Sequence, residues 1–206
     1  MQKYIITLFY ILAIVMIIVT YTYKDIIDGE IVEPKSEVVI AEINQITEEE
    51  ALKEKPIIYD IPLDKKYQKL TWKLCQEYQL SYELILAIME QESSFRPDVT
   101  CFNGDSHGLM QLHDSTYSWL GEEVNIKNFN VFNPKHNIKA GVWYVDYLRN
   151  YWRELGLPEE EVIYLTLISY NRGIAGCTNY VEQHGLNNNY VNEVLEKKYF
   201  YESNIL

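Results

Sequence analysis

An all-α domain over residues 59–206, preceded by a single N-terminal transmembrane helix and an acidic linker, is the fold the sequence predicts, and three observations carry it. From about Tyr59 onward, helical periodicity and cap residues alternate with short loops, and no run of strand-like alternation interrupts them. Residues Tyr4–Tyr23 form an uncharged apolar run, and a helix of about 20 residues spans roughly 30 Å, the thickness of a bilayer core. Residues 24–63 then hold four basic against eleven acidic side chains, so acidity is concentrated ahead of the main domain. The whole chain has 206 residues, is 48% hydrophobic, and sets Lys+Arg 18 against Asp+Glu 30 for a net charge of −12. That length allows one enzyme-sized core, and the composition excludes collagen-like, low-complexity and disulfide-dense classes. The negative balance speaks against nucleic acid as a partner, because phosphate binders carry a basic stripe that displaces counterions.

Taken in order, residues 1–23 read as a signal anchor. Tyrosines stand at both ends of the apolar run, as in interfacial belts, with Lys3 in front and Lys24 behind. A cleaved signal peptide is the other reading, but no small-residue cleavage site follows Val19, where Thr20-Tyr21-Thr22-Tyr23 stands instead. The expected location is the cell membrane, single-pass, with the folded domain on the extracytoplasmic side. Residues 24–58 contain Pro34, Pro56 and the run Glu48-Glu49-Glu50 but no Trp or Phe, and read as a flexible tether with an r.m.s. span of roughly 30–36 Å.

Within the domain, Asp64 can cap a helix whose stripe is Tyr67, Leu70, Leu74 and Tyr78. Ser81 can cap the next, Tyr82 to about Ser94, which must end near Arg96 because Pro97 follows. Asn133-Pro134 is an N-cap with proline at the first helical position, opening a helix with Ile138, Val142, Val145, Leu148, Trp152 and Leu155 that stops at Gly156. Pro158 opens another, with Glu159, Glu160 and Glu161 at its positive end. Of three cysteines, Cys75 beside the first stripe reads as a buried small hydrophobe, while Cys101 and Cys177 could pair in an oxidising compartment. Neither the cysteines nor the four histidines show metal-ligand spacing, so no metal or other cofactor is expected.

In the second helix Ile85, Ile88 and Glu92 fall at i, i+3 and i+7, which places a carboxylate on the apolar face, while Glu90 is expected to point to water. Lost hydration and the negative end of the helix dipole both disfavour the charged form, so Glu92 can hold a proton near neutrality and act as a general acid. A half-buried structural glutamate remains the alternative from position alone.

The segment Ile85-Leu86-Ala87-Ile88-Met89-Glu90-Gln91-Glu92-Ser93-Ser94-Phe95, then Gly108-Leu109-Met110-Gln111-Leu112, then Ile168-Ser169-Tyr170-Asn171-Arg172-Gly173 resembles the soluble lytic transglycosylases of peptidoglycan, with their lysozyme-like SLT domain, over about residues 59–200. The resemblance implies that Glu92 is the catalytic acid/base and that Ser93 helps position it or the substrate. It also implies that Gly108, Leu109, Met110 and Gln111 form a cleft-lining loop, with Met110 an apolar wall and Gln111 a hydrogen-bonding side chain. Tyr170 and Asn171 fall on a turn facing the glutamate, and Tyr190 on the family's later tyrosine. Ser169 replaces the usual alanine, and Arg172 occupies a variable position. The implied partner is the peptidoglycan glycan strand, with the membrane engaged through residues 4–23 and room for an envelope-spanning assembly; the implied product ends in 1,6-anhydro-N-acetylmuramic acid.

Two further readings stay open. Asp105, in Asn103-Gly104-Asp105-Ser106, is either a turn residue or the second carboxylate of a hydrolytic muramidase, and a catalytically quiet peptidoglycan-binding component could use the same cleft. His107 and His113 are expected at the surface, and Tyr117, Tyr144 or Tyr180 could stack on sugar faces.

Overall fold

The computed structural model describes residues 56–101 and 103–204. The apolar run and nearly all of the acidic linker lie outside the described residues; among those described, no helix is long and apolar enough to cross a membrane. Among the described residues six helices follow one another: α1 (Lys65–Tyr78), α2 (Tyr82–Ser93), α3 (Asp114–Glu123), α4 (Pro134–Arg153), α5 (Glu159–His184) and α6 (Asn189–Ser203). Between α2 and α3 lies a hairpin of two-residue strands, β1 (Ser106–His107) and β2 (Leu112–His113), antiparallel with Ser106 opposite His113. The sequence gives no strand signal there, because two residues are too few to show an alternating period.

The expected caps form as local chemistry dictates. Asp64, Ser81 and Asn133 each accept from backbone N–H groups of the first turn that follows. Burial then decides the layering. In α2, Leu84 through Met89 are all buried, so this helix has no polar face until its last turn and runs through the middle of the domain. It packs chiefly against α6, while α4 packs against α5, α1 and α3. Each such buried aliphatic side chain contributes about 1.5–3 kcal/mol of transfer free energy, which makes α2 the rigid bed for whatever its C-terminus carries.

Several expectations are corrected by contacts that are distant in sequence. The inward face of α1 is Gln68, Thr71, Leu74 and Cys75, with Tyr67 and Leu70 at its edge. Gln68 turns inward because its amide accepts from the Tyr59 N–H (2.9 Å) and donates to the carbonyls of Tyr59 (3.1 Å) and Leu63 (2.8 Å), pairing backbone that has no helix of its own. Leu155 falls beyond the end of α4 and is 61% exposed. Buried Arg149 reaches from α4 to the Tyr78 and Gln79 carbonyls at the C-terminus of α1, both at 2.6 Å, and pairs with Asp146. All three cysteines are free. The Cys177 thiol is buried against the Leu165 carbonyl, and that of Cys101 faces Asp105, so the pairing the sequence allowed is not made.

Candidate active site

Glu92 is the penultimate residue of α2, where the buried core ends and a cleft of about 560 Å³ begins. The helix is closed by two successive left-handed residues, Ser94 (φ 52°) and Phe95 (φ 61°), and the second is bulky and buried. A non-glycine residue in that region costs roughly 1–2 kcal/mol, and the burial of Phe95 offsets it. The chain thereby leaves α2 abruptly, and Glu92 sits at the cleft floor.

Two hydroxyls from distant helices meet around it. The Tyr190 hydroxyl, from the start of α6, donates to Glu92 Oε1 at 2.6 Å. The Tyr170 hydroxyl, from α5, donates to the Met110 carbonyl at 2.7 Å, and its ring lies 5.7 Å from that of Tyr144 on α4. Burial pushes the Glu92 carboxyl up to about 7, against the opposing pull of the Tyr190 hydrogen bond. Burial also raises both tyrosines well above their ordinary value, so their hydroxyls stay protonated donors.

The glycine-led loop between the strands is pinned from below. Asn137, wholly buried on α4, accepts from the Met110 N–H (2.8 Å) and donates to the carbonyls of His107 (3.0 Å) and Val131 (2.9 Å). Gly108 has φ 77°, and a Cβ there would lie 2.4 Å from Asn137 Nδ2 and 2.7 Å from the Val131 carbonyl. Ser93 donates to the Leu109 carbonyl at 2.8 Å, tying α2 to the same loop.

The sequence-selected residues are thus brought together in two layers. Glu92, Gln111, Tyr170 and Asn171 line the cleft. Ser93, Gly108, Leu109 and Met110 lie buried behind it; the Met110 side chain packs toward Gly141 of α4 instead of forming an apolar wall. Gln111, at φ 44°, turns its amide nitrogen back to the carbonyls of Val99 and Gly108, so that donor is used within the loop. Glu90 is not simply solvated: it accepts from Tyr201 at 2.5 Å. His113 is exposed, as expected, lines the cleft and accepts from the Ser115 N–H as the N-cap of α3, whereas His107 is half-buried, packed against Phe132 and paired with Asp114. Tyr144 and Arg172 also line the cleft, whereas Tyr117 packs against Phe129. Asn137 was not visible as a site residue. Its one signal is a polar side chain on the buried stripe 137, 141, 145, 148 of α4.

Asp105 is absent from the cleft lining. It accepts from the Cys101 thiol at 3.0 Å and lies 3.4 Å from His113 Nε2, and the Cys101 hydrogen bond, ahead of the His113 charge, holds its carboxyl below the usual range. Past Asn171 the α5 helix breaks at Gly173 (φ 71°, ψ 163°), a conformation essentially reserved for glycine. The expected turn is this break, which divides α5 into two helical segments and presents Asn171, Arg172 and Gly173 to the cleft.

Comparison with known proteins agrees with this architecture. Membrane-bound lytic murein transglycosylase C of Yersinia pestis (strain Pestoides F), and its counterpart in Yersinia pseudotuberculosis serotype O:1b (strain IP 31758), are each 35% identical over 121 residues, covering 54% of this chain. The chain spans only about a third of the length of these relatives (33%). An inactive mutant of the lytic transglycosylase Slt from Pseudomonas aeruginosa superposes with a TM-score of 0.57 at 19% identity, covering 69% of this chain and 24% of that one. The 70 kDa soluble lytic transglycosylase of Escherichia coli gives 0.55 at 20%, covering 66% and 24%. At such identity these two show the fold. The Transglycosylase SLT domain profile matches residues 70–191, which is more than half of the chain and contains Glu92, the pinned loop, the α5 kink and Tyr190. The chain belongs to the transglycosylase SLT domain family.

Proposed function

We propose that this chain is a peptidoglycan lytic transglycosylase that cleaves the β-1,4 bond between N-acetylmuramic acid and N-acetylglucosamine without water, leaving 1,6-anhydro ends, with Glu92 as the single acid/base. One observation carries the reading: among the described residues lining the cleft, Glu92 is the only carboxylic acid. A glycosidase of either ordinary stereochemistry uses two carboxyl groups, about 5–5.5 Å apart for a retaining enzyme and about 6.5–9.5 Å for an inverting one. Asp105, engaged by Cys101 and His113, supports neither role.

The chemistry then runs through one side chain. Protonated Glu92 gives its proton to the leaving glycosidic oxygen, and the substrate's own acetamido oxygen stabilises the cationic sugar carbon. Glu92, now a carboxylate steadied by the Tyr190 hydroxyl, withdraws the proton of the sugar's 6-hydroxyl, which closes on the same carbon. A carboxyl held near 7 is suited to both steps, since its two forms are close in free energy at neutral pH. Gln111, Tyr170 and Asn171 border the substrate, while Ser93, Gly108, Leu109 and Met110 hold that border in place.

The remaining organisation belongs to the same proposal: residues 1–23 as a retained signal anchor, 24–58 as tether, and 59–206 as the catalytic domain, held outside the cytoplasm against the wall. Digestion of purified peptidoglycan is expected to yield muropeptides whose ends resist borohydride and weigh one water less than reducing ends. Predominantly reducible ends, together with inactivation by Asp105→Asn, would make the protein a hydrolytic muramidase; absence of any cleavage would leave a glycan-binding component. The full chain is expected in the membrane pellet after carbonate extraction, and a mature N-terminus beyond Tyr23 would instead identify a cleaved signal peptide.

A further inference from the structure

We propose that Arg172 is a specificity-determining residue that binds a carboxylate carried by the muramic acid units of the strand. The inference rests on the glycan reading of the cleft given above, and goes beyond it by assigning the charge that the cleft selects.

The chain has four arginines, and three of them donate to protein oxygen. Arg96 donates to the Ser93 carbonyl, Arg149 to Tyr78, Gln79 and Asp146, and Arg153 to Glu159. Arg172 differs. Among the described residues it has no ion pair or hydrogen-bonded acceptor; its guanidinium lies over the Tyr180 ring at 4.7 Å. That ring is itself fixed, since its hydroxyl donates to the Asn187 carbonyl at 2.8 Å. A guanidinium held over an aromatic ring leaves its N–H donors free for an outside acceptor, which suits a bidentate carboxylate.

Arg172 also lines the cleft, beside Asn171 and Gly173, and is the only Lys or Arg among the described residues that do so. It does not serve Glu92, whose protonation is governed by burial and by the Tyr190 hydroxyl. Nor is it part of a basic surface, because residues 64–206 carry thirteen basic against nineteen acidic side chains. A cation held over a ring, with no acceptor among the described residues and at the wall of the cleft in an acidic domain, calls for an anion from the substrate. A peptidoglycan strand offers one chemistry from two sources: carboxylates of the peptide stem, and the lactyl carboxylate exposed when the stem is removed.

The test is binding of soluble ligands to the full chain carrying Glu92→Gln, so that no turnover occurs and the result does not depend on which product would form. Three probes are compared: peptide-bearing strands, strands stripped of peptide by an amidase, and an uncharged N-acetylglucosamine oligomer. Adding Arg172→Gln is expected to weaken binding of one or both carboxylate-bearing strands about tenfold, while the oligomer stays within about twofold; Arg172→Lys is expected to recover part of the loss. Selective loss on peptide-bearing strands identifies the stem, and on stripped strands the lactyl group. An equal loss on all three probes would make Arg172 merely structural and overturn the proposal, as would no loss on any. Failure of all three probes to bind when Arg172 is intact would overturn the glycan reading itself, and the proposal with it.

Discussion

Replacing Glu92 by Gln is expected to abolish strand cleavage and, at the same time, to stabilise the fold at alkaline pH. The amide keeps the shape and can still accept the Tyr190 hydrogen bond, but it cannot deliver a proton; general acid–base assistance of this kind is worth roughly 10²–10⁴-fold. Retention of more than about a tenth of wild-type turnover, about 1.4 kcal/mol of barrier, would remove Glu92 from its role. The stability effect follows from where the proton sits. Between the ordinary carboxyl value of 4.5 and about 7, the folded state keeps the proton that the unfolded chain has released, so stability falls as pH rises through that window. Above it both states are ionised and the full penalty of the buried charge remains, about 3 kcal/mol at 1.36 kcal/mol per unit. Urea unfolding should therefore find Glu92→Gln more stable than wild type by that order at pH 8, with the difference shrinking toward pH 4. A constant difference across the range would mean that burial does not hold the proton on Glu92. Wild-type turnover should also decline above pH 7, as the acid is lost before the bond is broken.

The second large effect is expected at the pinned loop. In Gly108→Ala the new methyl group meets both the Asn137 amide and the Val131 carbonyl, at a backbone angle of φ 77°. Left-handed strain of about 1–2 kcal/mol adds to overpacking of about 1–3 kcal/mol, for a total of roughly 3 kcal/mol. Asn137→Ala is expected to cost a similar amount by the opposite route, leaving the Met110 N–H and the His107 and Val131 carbonyls unpaired at about 1–3 kcal/mol for such a buried group. The two losses should not add, because removing the Asn137 amide relieves the closer of the two clashes in Gly108→Ala; a coupling of about 0.5–3 kcal/mol is expected from a double-mutant cycle. A Gly108→Ala protein within about 0.5 kcal/mol of wild type would show that the loop is free to move.

What could be read in the sequence was whatever is decided within one or two helical turns. Asp64, Ser81 and Asn133 cap helices because their oxygens reach N–H groups two or three residues on. Glu92 could be placed on an inward face because helical spacing from Ile85 and Ile88 requires it. The parts that stayed hidden depend on partners far along the chain. Glu90 looks like a surface acid until Tyr201 is folded against it, and Gln68 and Arg149 look like surface residues until the carbonyls they satisfy are brought to them. The same holds in the cleft. Its four-residue loop is recognisable as a motif, yet which of its atoms face outward is decided by Asn137, some 30 residues later. Arg172 is visible only as a variable position, since its distinction is the lack of an acceptor among the described residues, and a sequence does not display absences.

The hydrogen bond between Tyr190 and Glu92 closes a loop of 98 residues, and this has a consequence for when the domain acquires its chemistry. Among the described residues, α6 is both the last helix and the principal cover of α2. Until residues 189–203 have been synthesised and docked, the carboxyl lacks its hydroxyl donor and α2 lacks the side chains of Val191, Val194 and Tyr201 that close over the core. A chain in which α6 has not yet docked thus holds an unfinished acid, so the bond-cutting group gains its hydroxyl donor only when this helix closes over α2.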